Sequence, residues 1–487
     1  MAYNARKPQL RNENSFTSSA KVFSWLSQFI NLERGQTPKS FRLDRMEVLV
    51  ELAGHPERCA PSIHIAGSKG KGSVTGMMSA ILEADGHRVA RYMSPHVSDF
   101  RERISRGDSF FDEAIYCVAA EELREVAESK VPAAKNSLFD PASEDGEAPT
   151  FFELLTLYFF LCARHGNCDV MVVETGMGGR LDSTNVVDPL VSVITFIELE
   201  HTAFLGKTIP AVAGEKAGII KPGKPLVLAK QSAQALEVFR TKAHEKNSPL
   251  IYFPDIAELS KVNVHSKGTD FTLTFRTGSG LEPGSEPLLF SAPLVDLSIP
   301  IPGLIQAENA GLAISALKTA FPRIGEASIR RGLRQFHIPA RFETIAADPP
   351  FVVDGAHTPQ SAALCIETFC SLYGEGSILI FGCAADKDSR AMAEIALPHF
   401  SKIIITTPGN FKTSDPAKVY EAFAAVLAAQ GERSGQDTIV FIKDTGEAIR
   451  QALDMARGQN LPLLGAGSFY LAAEIKSFFQ NIGFQKG

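Results

Sequence analysis

The sequence predicts an α/β fold in two domains: an N-terminal domain built on a parallel sheet with a small β appendage, and a C-terminal Rossmann-like α/β domain. Three observations carry this expectation. The 487 residues amount to about two to four times the usual domain length of roughly 100–200 residues. Short β-branched runs alternate with longer segments of helical spacing, the pattern of parallel strands joined by crossover helices. Midway, Ile299-Pro-Ile-Pro-Gly303 reads as a hinge, because two prolines and a glycine neither extend a ladder nor start inside a helix. The expected domains are therefore 1–301 and 302–487.

In chain order, strands are expected at Ser62–Ala66, Arg88–Tyr92, Asp169–Val173 and Leu190–Phe196. The stretch 130–149 is rich in Pro, Ser, Asp and Glu without periodicity and reads as a surface insertion loop. Phe151–Ala163 is apolar but contains Glu153 and falls short of the roughly 20 residues that cross a bilayer, so it predicts a buried helix. Between 261 and 300 the pattern turns to alternation, with Phe271, Leu273 and Phe275 on one side, which predicts an antiparallel appendage broken by Gly and Pro between 278 and 287. Later strands are expected at Phe351–Val353, Ile378–Phe381, Ile403–Thr406, Ile439–Ile442 and Leu461–Leu464.

Composition excludes several classes of function. With 45% hydrophobic and 21% charged residues, the chain is neither disordered nor fibrous. A net charge of −6 argues against a broad basic surface that would track nucleic acid or anionic lipid. Seven cysteines at 59, 117, 162, 168, 365, 370 and 383 include no Cys-x-x-Cys pair, so the spacing suggests neither a zinc site nor a disulfide framework. Residues 1–20 are polar and carry no apolar core of signal-peptide length. A monomer in the reducing cytoplasm, without nucleic-acid or membrane partners, is the expectation.

The strongest local signal is Ile63-His-Ile-Ala-Gly-Ser-Lys-Gly-Lys-Gly-Ser73, followed by helical spacing through Met77, Met78, Ile81 and Leu82. Glycines let backbone N–H groups converge on phosphate oxygens at a helix start, and Lys71 reaches toward terminal phosphates. Strict Walker spacing is not met, since Gly72 stands where Ser or Thr would follow Gly70-Lys71. An ordinary glycine-rich turn is the competing reading of this segment alone.

Other short motifs follow in a definite order: Arg42-Leu-Asp-Arg-Met46, Ser94-Pro-His96 with Glu102-Arg103, Thr150-Phe-Phe-Glu153, Glu174 through Asn185, Glu200-His201, and Gly214-Glu-Lys-Ala-Gly218. The second half adds Gln306–Ala310, Arg341-Phe-Glu343, Asp354-Gly-Ala-His-Thr-Pro359, Asp386-Lys-Asp388 and Gly467-Ser-Phe-Tyr470. Together with Gly-x-x-Gly-Lys-Gly-Ser, this series resembles the folylpolyglutamate synthase and dihydrofolate synthase family of the Mur ligase superfamily, over nearly the whole chain.

The resemblance implies an N-terminal Mur-ligase-like ATPase domain and a C-terminal glutamate-ligase domain. It implies ATP-dependent joining of L-glutamate to a dihydropteroate or reduced-folate carboxylate through an acyl phosphate, in folate biosynthesis and one-carbon metabolism. ATP would be held by Gly70, Lys71, Gly72 and Ser73, with Asn309 at adenine and Arg341 at phosphate. Ser94 and Glu174 would hold one Mg²⁺ and His201 a second. Lys71, His201, Lys216 and His357 would be catalytic, and Lys216 would be open to carbamylation. Thr150, Phe151, Phe152 and Glu153, with Leu181, Asp182 and Ser183, would line a pteroate pocket.

Several of these residues also have a reading of their own. Glu174 ends an apolar run, at the strand end where open α/β sheets bind ligands, and hard cations take such oxygens. Thr150-x-x-Glu153 is a capping box whatever else it does, and Phe151 and Phe152 suit a core as well as a flat ring. Asp354 ends a strand and is placed to accept from ribose hydroxyls, while His357 is placed to meet a phosphate or carboxylate. Asp386-Lys-Asp388 reads as a solvated turn. Rival functions are another Mur-type ligase, or a nucleotide-binding regulatory protein without ligase activity. The sequence departs from the family pattern at Lys69 (usually Asn), Glu200 (usually Asp), Ile305 (usually His), Ala340 (usually Gly) and Thr358 (usually Asn).

Overall fold

A computed structural model describes residues 15–31, 41–128, 148–276, 292–409, 413–429 and 438–481. Seven strands form the first sheet: β1 Ser62–Ala66, β2 Val89–Tyr92, β3 Ile104–Arg106, β4 Val170–Glu174, β5 Val191–Ile194, β6 Leu226–Leu228 and β7 Leu250–Tyr252. Their spatial order is β3-β2-β4-β1-β5-β6-β7, parallel except for edge strand β3. β1 and β4 are buried along their whole length, as expected of parallel strands covered on both faces.

The appendage is antiparallel as expected, with β8 Ala257–His265, β9 Gly268–Phe275 and β10 Leu294–Ile299 in the order β10-β9-β8. The Gly- and Pro-rich part at 278–287 and nearly all of the expected insertion loop at 130–149 lie outside the described residues. The second sheet contains β11 Glu343–Ala347, β12 Pro350–Val353, β13 Ser377–Phe381, β14 Phe400–Ile405, β15 Ile439–Phe441 and β16 Leu463–Ala466. Its order is β11-β12-β16-β13-β14-β15, with only β11 antiparallel.

All the expected strands are present, Ser62–Ala66 with the expected bounds and the others with ends shifted by at most three residues. The unanticipated ones are β3, β6, β7 and β11. Three of these are only three residues long, too short to show a period, and β11 contains Glu343 and Thr344.

The division expected at Pro302 falls earlier than the division in packing. Helices Leu304–Ala320 and Glu326–Gln335 both lie on the helix Lys71–Ala84 of the first domain. Gly332 permits this contact, since a Cβ there would lie 2.4 Å from the Ile81 Cα. The second sheet begins only at Glu343.

On the opposite face of the first sheet, helix Phe151–His165 is buried along nearly its whole length, as its apolar sequence predicts. Its first turn holds a buried ion pair, Arg45 Nε to Glu153 Oε1 at 2.9 Å, with side chains 2% and 4% exposed. Among the described residues no helix is long and apolar enough to cross a membrane.

Removing one partner of such a pair strands the other charge in the core. Glu153→Ala is therefore expected to destabilise the first domain by about 3–5 kcal/mol, read as a lowered midpoint in urea unfolding. Glu153→Gln with Arg45→Met should recover part of that loss.

Candidate active site

β1 delivers the chain into the loop Gly67–Gly70, and Gly70 caps the helix Lys71–Ala84 with φ 87°. A side chain cannot be built at either end of this loop. At Gly67 (φ 148°) a Cβ would meet Thr195 Oγ1 at 1.8 Å, and at Gly70 it would meet Asn309 Oδ1 at 2.5 Å. The Ser68 and Lys69 N–H groups donate to Phe196 O at 2.9 and 3.1 Å, which ties the loop to the end of β5. Lys69 Nζ lies 3.1 Å from Glu198 Oε1.

Two further lysines meet at one carbonyl: Lys71 Nζ donates to Gly67 O at 2.9 Å and Lys216 Nζ donates to the same oxygen at 2.8 Å. Lys216 is 1% exposed and also pairs with Glu200 Oε1 at 2.6 Å. Burial pulls the Lys216 ammonium down to about 8 against the attraction of Glu200. Burial opposes the Glu200 charge too, but Lys71 and Lys216 outweigh it and hold the carboxyl at about 2. Near neutral pH the pair is ammonium and carboxylate.

Glu174 ends β4 and is buried. Burial pushes its carboxyl up to about 7, while Lys71, the Ser94 N–H and Arg341 pull the other way. The Ser94 N–H donates to Glu174 Oε2 at 3.4 Å. A buried carboxylate with so little neutralising it suits a cation, and hard cations bind oxygen donors of this kind. His201 is exposed and adopts the left-handed region at φ 46°, at the start of the short helix Thr202–Leu205. Packing around its ring, with Lys71, Lys387 and Lys216 against Glu200, holds it down at about 4. It is therefore a neutral imidazole, the form that binds metals.

The second domain closes the cleft. Gly72, Ser94 and Glu174 face Arg341, His337 and Phe469 across one pocket. Arg341 stacks over the Phe469 ring at 4.2 Å, and its polar contact among the described residues is to Ala340 O at 3.4 Å. Its donors remain directed at the cleft, where Glu174 and Asp354 favour its charge against burial.

Asp354 is engaged by the backbone around it. Its two oxygens accept the N–H groups of Phe342 (2.8 Å) and Ala356 (2.7 Å), so it holds the Arg341 turn, where Ala340 and Phe342 both have positive φ. His357 is engaged likewise. Its Nδ1 lies 2.8 Å from Gly355 O, which makes Nδ1 the protonated nitrogen. Burial and Lys69 hold the ring down at about 3. It offers a lone pair at Nε2 and no positive charge for an anion.

The expected substrate residues separate into two groups. Thr150 caps its helix and Glu153 closes the box, with Glu153 Oε2 accepting from Thr150 N and Oγ1 while Oε1 takes Arg45. Phe151 belongs to the core. Asp182 is spent on the loop itself, accepting from Met177 N at 2.8 Å and Thr184 N at 3.0 Å, and Ser183 starts the 3₁₀ turn after it. Phe152 and Leu181 are half-buried, Phe152 lying where a Cβ on Gly176 would collide with its ring at 2.1 Å.

Sequence reasoning missed Lys387, whose charge bears on both His201 and His357. The signal lay in Asp386-Lys-Asp388, read as a solvated turn. It also missed Arg45 as the partner of Glu153.

Residues 340–468 match the model of the Mur ligase glutamate ligase domain. The folylpolyglutamate synthase of Lacticaseibacillus casei is 31% identical over 439 residues, which cover 89% of this chain and 93% of that protein. The chain belongs to the folylpolyglutamate synthase/dihydrofolate synthase family. A longer relative, the probable bifunctional folylpolyglutamate synthase/dihydropteroate synthase of Haloferax volcanii, is 32% identical over 88% of this chain but only 47% of its own length. The chain thus spans about half of that protein. Among solved structures, Mycobacterium tuberculosis folylpolyglutamate synthase complexed with ADP superposes with a TM-score of 0.81 at 27% identity, covering 95% of this chain and 98% of that one. An FPGS–AMPPCP–folate complex gives 0.76 at 28% identity, covering 96% and 100%.

The α/β fold expected from the sequence is that of this family, and its phosphate loop and Arg341 turn face one cleft. The raised Glu174 carboxyl yields a pH test. In the folded protein it keeps its proton to about pH 7, whereas an unfolded carboxyl loses its proton near its ordinary value. Its contribution is therefore full below the unfolded value and is lost as pH rises through about 7. With divalent cations chelated, the stability of the native protein relative to Glu174→Gln should fall by roughly 3 kcal/mol between about pH 4 and pH 8. A flat difference in denaturant unfolding would count against the buried carboxylate.

Proposed function

We propose that this chain joins L-glutamate to the carboxylate of dihydropteroate or a reduced folate at the expense of ATP. One observation carries the reading: Gly72 of the phosphate-loop helix, Ser94 and the buried Glu174 line one pocket with Arg341 of the second domain, and Lys71 opens that helix beside Gly72. A transferring phosphoryl group needs positive charge aligned on both sides.

A carboxylate is a poor electrophile. Its oxygen attacks the γ-phosphorus of ATP and the bond to the β-phosphate oxygen breaks, giving ADP and an acyl phosphate. The glutamate amine then attacks the acyl carbon, the C–O bond breaks, and phosphate leaves carrying the amine proton. Lys71 and Arg341 offset the charge of the anionic reactants, and the loop glycines let backbone N–H groups approach phosphate. Enclosure between the domains keeps water from the acyl phosphate.

Glu174, the Ser94 hydroxyl and His201 are the groups that would hold Mg²⁺, which when bound would shield the phosphates. Lys216 serves this site as an ammonium. A carbamate there would set a second anion beside Glu200, 2.6 Å from the present nitrogen. Every group named comes from one chain, so a monomer suffices, and the seven cysteines are all free, in keeping with a cytoplasmic enzyme.

The test uses purified protein, ATP, Mg²⁺ and labelled glutamate, offered dihydropteroate and tetrahydrofolate in parallel. Label should enter one or both, and ATP should turn over only when both co-substrates are present. Incorporation into neither would overturn the reading. Lys71→Ala is expected to lower kcat by roughly 10²–10³-fold, and an unchanged rate in that variant or in His201→Ala would remove the residue from the site.

A further inference from the structure

Away from the cleft, three ligand-bearing side chains meet at the opposite end of the second sheet, where β13 and β14 begin. Cys370 lies in the last turn of the helix Pro359–Tyr373. Glu375 stands between Gly374 and Gly376, whose φ values of 85° and 80° fold the chain sharply. His399 immediately precedes β14. Two backbone hydrogen bonds lock the segments together: Gly374 N–H to Cys370 O at 2.9 Å and Gly376 N–H to His399 O at 2.8 Å. One ligand atom from each side chain lies within 4.8 Å of the others, and His399 Nδ1 is 2.9 Å from Glu375 Oε2.

We propose that Cys370, Glu375 and His399 form a binding site for a zinc-like divalent metal ion. Sulfur, imidazole nitrogen and carboxylate oxygen are the donor set of tetrahedral zinc, at bond lengths of about 2.0–2.3 Å with a fourth position for water. Thiolate and imidazole select against Mg²⁺, which takes oxygen. The Cys370 thiol gives its proton to solvent when the ion binds.

The site is separate from the ligase centre. It sits where β13 and β14 begin, whereas the Arg341 turn and Asp354 lie beyond the end of β12, which runs parallel to them through β16. A five-residue strand such as β13 separates the two ends of the sheet by about 16 Å. The ion would join a helix end, a turn and a strand start, and so act as a staple on the second domain.

Cobalt reports this chemistry optically, because a sulfur-to-cobalt charge-transfer band requires a cysteine ligand and the cleft residues include none. Full-length protein with Mg²⁺ in excess is titrated with Co²⁺ and then with Zn²⁺. The expected result is a sulfur band that saturates at a single equivalent and is bleached by Zn²⁺. Cys370→Ser should abolish the band while ligase turnover stays at the native rate. His399→Gln should weaken Co²⁺ binding roughly 10–100-fold or more. In the unsubstituted protein, Zn²⁺ should slow alkylation of Cys370, read on its peptide by mass spectrometry, and should raise the unfolding midpoint. Absence of the band, its survival in Cys370→Ser, undiminished affinity in His399→Gln, or alkylation indifferent to Zn²⁺ would each overturn the site and leave the cluster an ion pair with a neighbouring thiol.

Discussion

The burial of the phosphate-loop helix from Gly72 to Leu82 is the constraint on which the rest of the molecule depends. From Gly72 to Leu82 every residue of Lys71–Ala84 is buried, because the sheet lies on one side and the helices 304–320 and 326–335 on the other. A helix enclosed in this way cannot tilt without disturbing packed neighbours. Gly76 and Gly332 are the conditions for that enclosure. A Cβ on Gly76 would sit 2.5 Å from the Phe336 ring, as one on Gly332 would press on the Ile81 backbone. The segment after Phe336 is thereby delivered to the mouth of the loop, and His337, Ile338, Pro339 and Arg341 all line the cleft. Packing of apolar residues fixes where the second domain's arginine begins.

Charge is organised on that frame. The chain is acidic overall, with a net charge of −6, yet its proposed substrates are anions, so positive charge has to be local. Lys69, Lys71 and Lys216 cluster around the loop, Lys69 tied to Glu198, Lys71 to the Gly67 carbonyl, and Lys216 to Glu200 and that same carbonyl. Only Lys71 is tied by a carbonyl alone, which leaves its charge uncompensated by a direct carboxylate contact. His201 and His357, by contrast, are held neutral, so the cationic contribution in this region comes from lysine and arginine.

Much of this was legible in local sequence. Glu174 at the end of an apolar run and the glycine-rich turn after Ser62–Ala66 are short-range patterns, and both sit where the pattern puts them. Thr150 and Glu153 were legible as a cap for the same reason. The partner of Glu153 was not, because Arg45 is 108 residues away and no period links them. Asp354 and His357 are a different case. Each occupies the expected strand end, but the backbone groups that engage them come from the turn geometry at 340–342 and from Gly355, which residue types do not encode. The Cys370, Glu375 and His399 cluster escaped for want of a motif: it is assembled by two backbone hydrogen bonds across a turn, with the histidine 24 residues beyond the glutamate.

Glu200 draws these strands together. The family pattern has a shorter acid beside the histidine, and the extra methylene here lets the carboxylate reach past the loop to Lys216, buried on the far side of the Gly67 carbonyl. The contact changes what the lysine can be. Buried alone, an ammonium tends to lose its proton, and a neutral amine is what carbon dioxide would require. Paired at 2.6 Å with a carboxylate, the charged form is retained near neutral pH despite its burial. The longer acid and the buried lysine are then two halves of one arrangement, in which an ion pair lies behind the phosphate loop and Lys216 steadies the Gly67 carbonyl through a charge-assisted hydrogen bond. Shortening the acid would withdraw the anion from the lysine, so the side-chain length at position 200 sets how closely negative charge is held behind the loop.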